Sequence, residues 1–355
     1  MSYDVDATTV NTVLQNSNPV VFSDDTISKI LGLTTQPGNN NVTFNEGAPD
    51  ANGNVTVPAG TEVALVNTSN TSQTTVNVQG PNAPVLIFQG RGGVVATISD
   101  PSATVPGGNQ TQVDRVVVGS AGNDNITVLD AKNTQIILGT GDSTVHTGRG
   151  VDTVEAGLGN STITGGTGDY AVVKLAGNAG NYTVTTASNN SHAIVTDMTT
   201  GKTTDISKIQ YVALDNDQAL IFAKNSVEGQ VANLYQTVFG RTAEAGGLDY
   251  WFDVAKAGAS TKQIATSFVN STEFSSKHPA SETNTDFIQS LYQNTFNRAG
   301  EDAGVAYWLD QMTFGKTKAD LVLSFAEIAL QNILHTAPNQ EAQIVGSVNV
   351  IGNII

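Results

Sequence analysis

The sequence predicts a multidomain, mainly β chain: a β-sandwich or irregular β-solenoid, then a parallel β-roll, then an all-α C-terminal domain. Three observations carry this expectation. Short apolar runs bounded by Gly, Pro, Asn or Ser fill residues 41–118, a nine-residue repeat of aliphatics and Gly-x-Gly pairs occupies 119–173, and from about residue 224 onward apolar residues take i, i+3, i+4 spacing. At 355 residues the chain is long enough for two or three domains, each with its own core.

Composition narrows the classes of partner. Only 14% of residues are charged and 6% aromatic, while Gly, Thr, Asn, Val and Ser dominate long stretches, a mixture suited to strands and tight turns. A formal charge of −16 disfavours nucleic acid and anionic membranes, because both repel an acidic surface. Cations are the complementary partner. Cysteine is absent, so neither disulfides nor thiolate metal sites hold the fold, and a hard cation bound by oxygen is one alternative staple. The opening Met1-Ser2-Tyr3-Asp4-Val5-Asp6 has no basic or apolar region of a cleavable secretion signal, and no apolar run is long enough to form a transmembrane segment.

Residues 1–40 form a mixed opening segment, with Val10, Val13 and Leu14 and then Ile27, Ile30 and Leu31 at spacings that suit short helices or turns. The β-rich region 41–118 follows, with runs such as Val63-Ala64-Leu65-Val66 and Val85-Leu86-Ile87-Phe88. In 119–173, Ile136, Val145, Val154, Ile163 and Val172 recur every nine residues, in phase with Gly139/Gly141, Gly148/Gly150, Gly157/Gly159 and Gly166/Gly168. Units this short cannot bury an apolar face alone, so they are expected to stack, each contributing one inward aliphatic and a glycine turn. Residues 174–222 keep strand-sized runs without the repeat and are expected to cap the coil. The helical part, 224–335, is duplicated at an offset of 57: Leu234-Tyr235-Gln236 matches Leu291-Tyr292-Gln293, Arg241 matches Arg298, Gly247 matches Gly304 and Tyr250-Trp251 matches Tyr307-Trp308. Two helical hairpin units packed through those aromatics are the simplest account. Residues 336–355 are an apolar tail.

The nine-residue turns resemble the repeats-in-toxin nonapeptide, Gly-Gly-x-Gly-x-Asp-x-aliphatic-x, whose family forms a calcium-binding parallel β-roll. Glycine turns expose carbonyls and aspartates add charge, which suits an ion that takes six to eight oxygens. The resemblance is best in Gly119-Ser120-Ala121-Gly122-Asn123-Asp124-Asn125-Ile126 and next in Gly148-Arg149-Gly150-Val151-Asp152-Thr153-Val154. It departs where aspartate comes one place early, at Asp142 and Asp169, and where Asn160 replaces it. The resemblance implies Ca²⁺ as cofactor, with Gly122, Asn123, Asp124, Gly141, Asp142, Gly150, Asp152, Gly159, Asn160, Gly168 and Asp169 as the metal-site residues. The same residues also suit an ion-free coil in which Asp and Asn cap the turns.

The helical pair, about 228–330, resembles a bacterial domain-of-unknown-function family that accompanies such repeats in exported and surface proteins. Leu-Tyr-x-x-x-Phe-x-Arg, then Gly and Tyr-Trp, carries the likeness. Arg241 is expected to pair with Glu244 or Asp253, and Arg298 with Glu301 or Asp310. Tyr235, Trp251, Tyr292 and Trp308 are expected in the core, and His146 and His278 on the surface.

No zinc-protease, nucleophile-elbow, Walker or cysteine-nucleophile pattern occurs, so no enzyme is expected, although a glycosidase carboxylate pair stays open on residue type alone. The uncharged tail from Ile344 to Ile355 resembles the uncleaved signal of type I secretion. Together the resemblances imply an extracellular or cell-surface, calcium-dependent structural protein that self-assembles into a surface layer, sheet or filament. Its partners would be further copies of itself, the type I secretion machinery and cell-surface polysaccharide, with no nucleic acid. Two other readings are a monomeric adhesin or matrix-binding protein and a secreted polysaccharide-acting enzyme.

Overall fold

The computed structural model describes residues 2–17, 22, 24–34, 41–80, 83–104, 112–167, 170–186, 192–223, 225–336, 343–345 and 348–352, with side chains to residue 331. The chain divides into two compact units, residues 1–175 with 194–209, and residues 176–193 with 210–355. In chain order the elements begin with β1 (Ser2–Asp6), α1 (Val10–Ser17), α2 (Asp24–Thr34), β2 (Asn41–Gly47), β3 (Asn54–Val55), β4 (Val63–Asn67), β5 (Thr74–Gln79), β6 (Val85–Gln89), β7 (Val94–Ser99) and β8 (Arg115–Val118). They continue with β9 (Asn125–Val128), β10 (Thr134–Ile137), β11 (Ser143–His146), β12 (Asp152–Glu155), β13 (Ser161–Thr164), β14 (Ala171–Lys174), β15 (Tyr182–Thr186), β16 (Ala193–Asp197) and β17 (Thr203–Ser207).

From β2 to β14 the chain alternates between two sheets, so the first unit is one continuous parallel β-solenoid. Of the two architectures open for 41–118, the irregular solenoid is the one adopted. Its irregularity has a plain cause in the register. Val145 faces Ile163, 18 positions on, but Val63 faces Val85, 22 on, and Val95 faces Asn125, 30 on. Turns of unequal length separate rungs that stack alike, which hides the repeat in the sequence.

Inside the coil each strand of the repeat turns two residues inward, a small or polar one at its start and an aliphatic two places later, as the period-2 pleat requires. Ser143 and Val145, Asp152 and Val154, and Ser161 and Ile163 are all buried. Here one expectation is corrected. Val172 is not the next inward aliphatic; Val173 is, fully buried and facing Val154. The rung from β12 to β14 spans 19 residues, and a slip of one residue exchanges the faces of a strand.

β4, β6 and β8 are buried on both faces. Their outer face carries Val63, Leu65, Val85, Ile87, Val116 and Val118, which pack with Val10 and Leu14 of α1 and Ile30 of α2. The i, i+4 spacing of Val10 and Leu14 puts both on the helix face that covers the sheet. The opening segment is thus a helical cover on one sheet, while the other, bare sheet turns exposed or half-buried side chains such as Val95, Thr127 and His146 outward among the described residues.

Among the described residues the second unit contains β15, β18 (Tyr211–Ala213), β19 (Ala219–Ala223), seven α-helices and two tail strands. The helices are α3 (Ser226–Phe239), α4 (Ala245–Lys256), α5 (Thr261–Val269), α6 (Thr272–Lys277), α7 (Asn284–Phe296), α8 (Asp302–Thr313) and α9 (Lys318–Thr336), and the tail strands are β20 (Gln343–Val345) and β21 (Val348–Gly352). The duplication is explicit in the caps. Asn225 and Thr283 side chains accept from the third residue of α3 and α7, and both helices end in the left-handed region, at Gly240 (φ 63°) and Asn297 (φ 52°). Gly247 and Gly304 are explained too: a Cβ at either would collide with the hydroxyl of Tyr235 or Tyr292.

Each copy contributes three main helices, and the matched Tyr and Trp side chains cluster within a copy, while Phe274 and Phe287 meet across the two at 6.0 Å. Trp251 and Tyr235 pack on Phe268 at 5.2 and 4.9 Å, and Trp308 and Tyr292 on Phe325 at 5.1 and 5.0 Å. The copies meet through α3 against α7 and α9 and through α5 against α9, with Gln236 Nε2 donating to the Asn294 carbonyl and Asn294 Nδ2 to that of Thr237. Arg241 binds Glu244 as expected, and also Glu273 in bidentate fashion at 2.8 and 2.9 Å. Arg298 keeps only the equivalent Glu301, because the position matching Glu273 is the buried Leu330.

His278 is also corrected. It is buried, not on the surface: Nδ1 lies 3.0 Å from Glu282, in the turn between α6 and α7, and Nε2 3.3 Å from the Val238 carbonyl. His146 is exposed. No helix among the described residues is long and apolar enough to cross a membrane.

Candidate metal centre in the coil turns

The coil has two edges. On the first, turns run from the α1–α2-covered sheet to the bare one, and here Asn123, Asp142 and Asn160 come together as one ladder. Asn123 Oδ1 accepts from Asp142 N at 2.9 Å, Asp142 Oδ1 from Asn160 N at 2.7 Å, and Asn160 Oδ1 from Thr203 N at 3.0 Å. The aspartate that sits one place early in the sequence is therefore level with the asparagines on either side of it. The Asn160 amide holds the Asp142 carboxyl below its usual range. Gly122, Gly141 and Gly159 stack behind this ladder. A Cβ on Gly141 would strike the Gly122 carbonyl, and one on Gly159 the Gly141 carbonyl, so these glycines permit close approach of successive turns.

Asp124 lies one step further in, at the buried start of the next strand. Its Oδ2 accepts from Ser120 N at 2.8 Å, and its Oδ1 from Ser120 Oγ at 2.6 Å and Val94 N at 3.1 Å. Burial pushes the Asp124 carboxyl up, against the pull of those donors. Strand register places Ser143, Ser161 and Thr204 at the same level in later rungs, so no second carboxylate stacks on it.

Gly150 and Asp152 belong to the opposite edge. Asp152 is fully buried, with Oδ1 accepting from Thr134 N at 2.8 Å and Oδ2 from Gly148 N at 2.7 Å. Burial raises its carboxyl to about 6, against those bonds and the nearby Arg115 charge. Gly150 passes over the Lys132 carbonyl as the first-edge glycines do over theirs. A second ladder runs here: Asp114 Oδ2 accepts from Asn133 N and Asn133 Oδ1 from Val151 N. Gly168 and Asp169 lie outside the described residues.

This donor set does not suit a calcium ion. Such an ion needs several oxygens converging on one point. The two buried carboxylates among the expected ligands, Asp124 and Asp152, instead stand on opposite edges, each with both oxygens filled by N–H or O–H donors. Turn carbonyls are also occupied: Gly139 O accepts from Leu158 N, Ala121 O from Thr140 Oγ1 and Asn123 O from Gln73 Nε2. Among the described residues no group of three or more His, Asp or Glu side chains is arranged to hold a metal. Side-chain caps seal the backbone groups of these turns.

Several partners on the second edge escaped the sequence reading: Asp100, Asp114, Arg115, Asp130, Lys132 and Asn133. A signal existed in the Asx residue that precedes a strand opening, Asp114-Arg115 and Asn133-Thr134, but the two lie 19 residues apart and the next rung, Val151-Asp152, lacks it.

No curated protein and no solved structure matches the chain. The family described as a domain of unknown function, DUF4214, matches residues 222–278 and 265–329, two overlapping stretches that span the duplicated helical part.

Proposed function

We propose that the chain is an exported, non-catalytic structural protein in which the solenoid acts as a rigid spacer and copies associate by strand addition. The observation that carries this reading is an open sheet edge in the second unit. β21 pairs in parallel with β19 and antiparallel with β20, leaving β20 at the end of that sheet among the described residues. Such an edge presents backbone donors and acceptors to a further strand. The tail strand β21 pairs here with its own chain, and exchanging that strand between copies would use the same hydrogen bonds. A structural role is further supported by how the polar side chains of the coil are used, as ladders and caps between rungs. Type I export remains part of the proposal, on the uncharged tail and the Gly-x-Gly likeness.

The test compares the full chain with a form lacking residues 343–355, by light scattering and negative-stain electron microscopy over a concentration series. Large regular assemblies are expected for the full chain alone. A full chain that stays monomeric throughout, or a truncated form that assembles equally well, refutes the reading.

A monomeric matrix-binding role has one observation in its favour. The bare sheet aligns Thr97, Thr127, His146, Thr164 and Ser207 in one row across successive rungs. Retention of the monomer on a polysaccharide gel, lost on replacing Thr127 and Thr164 by Lys, would favour that role.

A further inference from the structure

We propose that two side-chain cations, Arg115 and Lys132, occupy the part that a metal ion plays in a calcium-bound roll, so that the second edge of the coil is locked without calcium. Asp100 and Asp130 lie two residues beyond the paired Ile98 and Val128, which stacks them on adjacent rungs. Both are buried, and both close the same turn: Ser102 N donates to Asp100 Oδ1 at 3.0 Å, and Lys132 N to Asp130 Oδ1 at 3.1 Å. Two carboxylates stacked inside an edge are the arrangement for which a divalent ion would be the obvious counter-charge.

The counter-charges come from the chain instead. Arg115 has no solvent exposure and meets Asp130 in a bidentate pair, Nη1 to Oδ2 at 2.8 Å and Nη2 to Oδ1 at 2.9 Å, while Nη2 also donates to Thr134 Oγ1 at 2.9 Å. The planar guanidinium matches a carboxylate in this way, and its fixed charge opposes entry of a divalent ion at the same oxygens. Lys132 Nζ lies 2.9 Å from Asp100 Oδ2. Register completes the picture. Arg115 stands opposite Thr134, which stands opposite Asp152, so Arg115 fills a strand-opening position that the roll pattern reserves for aspartate.

The experiment uses the full chain in excess EGTA and in millimolar calcium, following coil unfolding in urea by far-ultraviolet circular dichroism. Equal unfolding midpoints are expected for the natural protein in the two buffers. Arg115→Met leaves Asp130 buried without its partner and should lower the folding equilibrium constant of the coil by about a hundredfold or more. Arg115→Met/Asp130→Leu is the companion that guards against misfolding of the single variant; removing both charges should recover most of the loss. Loss of β-structure from the natural protein in EGTA overturns the proposal, as does a double variant no more stable than R115M.

Discussion

Replacing Asp124 by Ala tests the claim that the coil is held by hydrogen bonds from turn to turn. The carboxylate accepts from Ser120 N, Ser120 Oγ and Val94 N, and both residues that supply those amides are fully buried. Each buried N–H left without an acceptor costs about 1–3 kcal/mol, so two of them amount to roughly 2–6 kcal/mol. Relief of the burial cost of the charge, visible in the raised carboxyl, offsets part of this. The expected net loss is about 3 kcal/mol. Asp124→Asn keeps the Oδ1 acceptor but turns an NH₂ toward Ser120 N, and should lose about half as much. Both tryptophans, Trp251 and Trp308, lie in the helical unit, so fluorescence reports that unit while the β signal in circular dichroism reports the coil. Urea curves read both ways should show the coil transition moving and the helical one staying. A D124A coil within about 0.5 kcal/mol of the natural one refutes the reasoning, as does a gap between them that exists in calcium and vanishes in EGTA.

Other expectations are equally direct. Asp152 has a folded value of about 6 against about 3.9 unfolded, so the folded state takes up a proton first and coil stability should rise as pH falls from about 6.5 to 4, by at most about 2–3 kcal/mol. Asp100 acts oppositely: burial is outweighed by bonds from Ser102 and Lys132 that hold it at about 2, so its contribution is kept above about pH 4 and lost only below. Urea midpoints across that range, with a D152N chain lacking the gain, check the sign. Gly159→Ala should cost about 1–3 kcal/mol by pushing a Cβ into the Gly141 carbonyl, whereas Gly32→Ala, in open space on α2, should add about 0.5–1 kcal/mol; thermal melts compare them. Trp308→Ala should cost the helical unit about 3–5 kcal/mol and the half-exposed neighbour Tyr307→Ala less than about 1 kcal/mol, read by Trp251 fluorescence or helical circular dichroism.

Much of the architecture was legible because it rests on local periodicity. Nine-residue spacing of aliphatics and Gly-x-Gly pairs can be satisfied only by a stacked coil, and the offset of 57 reappears as matched caps at Gly240 and Asn297. Where turn length varied, periodicity misled: Val172 kept the spacing, yet one added residue in the rung turned Val173 inward. His278 was expected on the surface because the segment that buries it is remote in sequence: Val238, whose carbonyl it faces, lies 40 residues away, and Glu282, four residues on, does not by itself imply burial.

The candidate site shows the same division more sharply. Which positions carry Asp, Asn and Gly follows from the order of residues, since only glycine lets one turn lie against the next and only short polar side chains cap them. Whether those oxygens meet a metal or an amide depends on which rungs become neighbours. Arg115 is 15 residues from Asp130, and no nine-residue pattern links the two. Stacking of unequal turns brings them together, because hydrogen bonding aligns strands by register in space, and register counts turns of any length as one step.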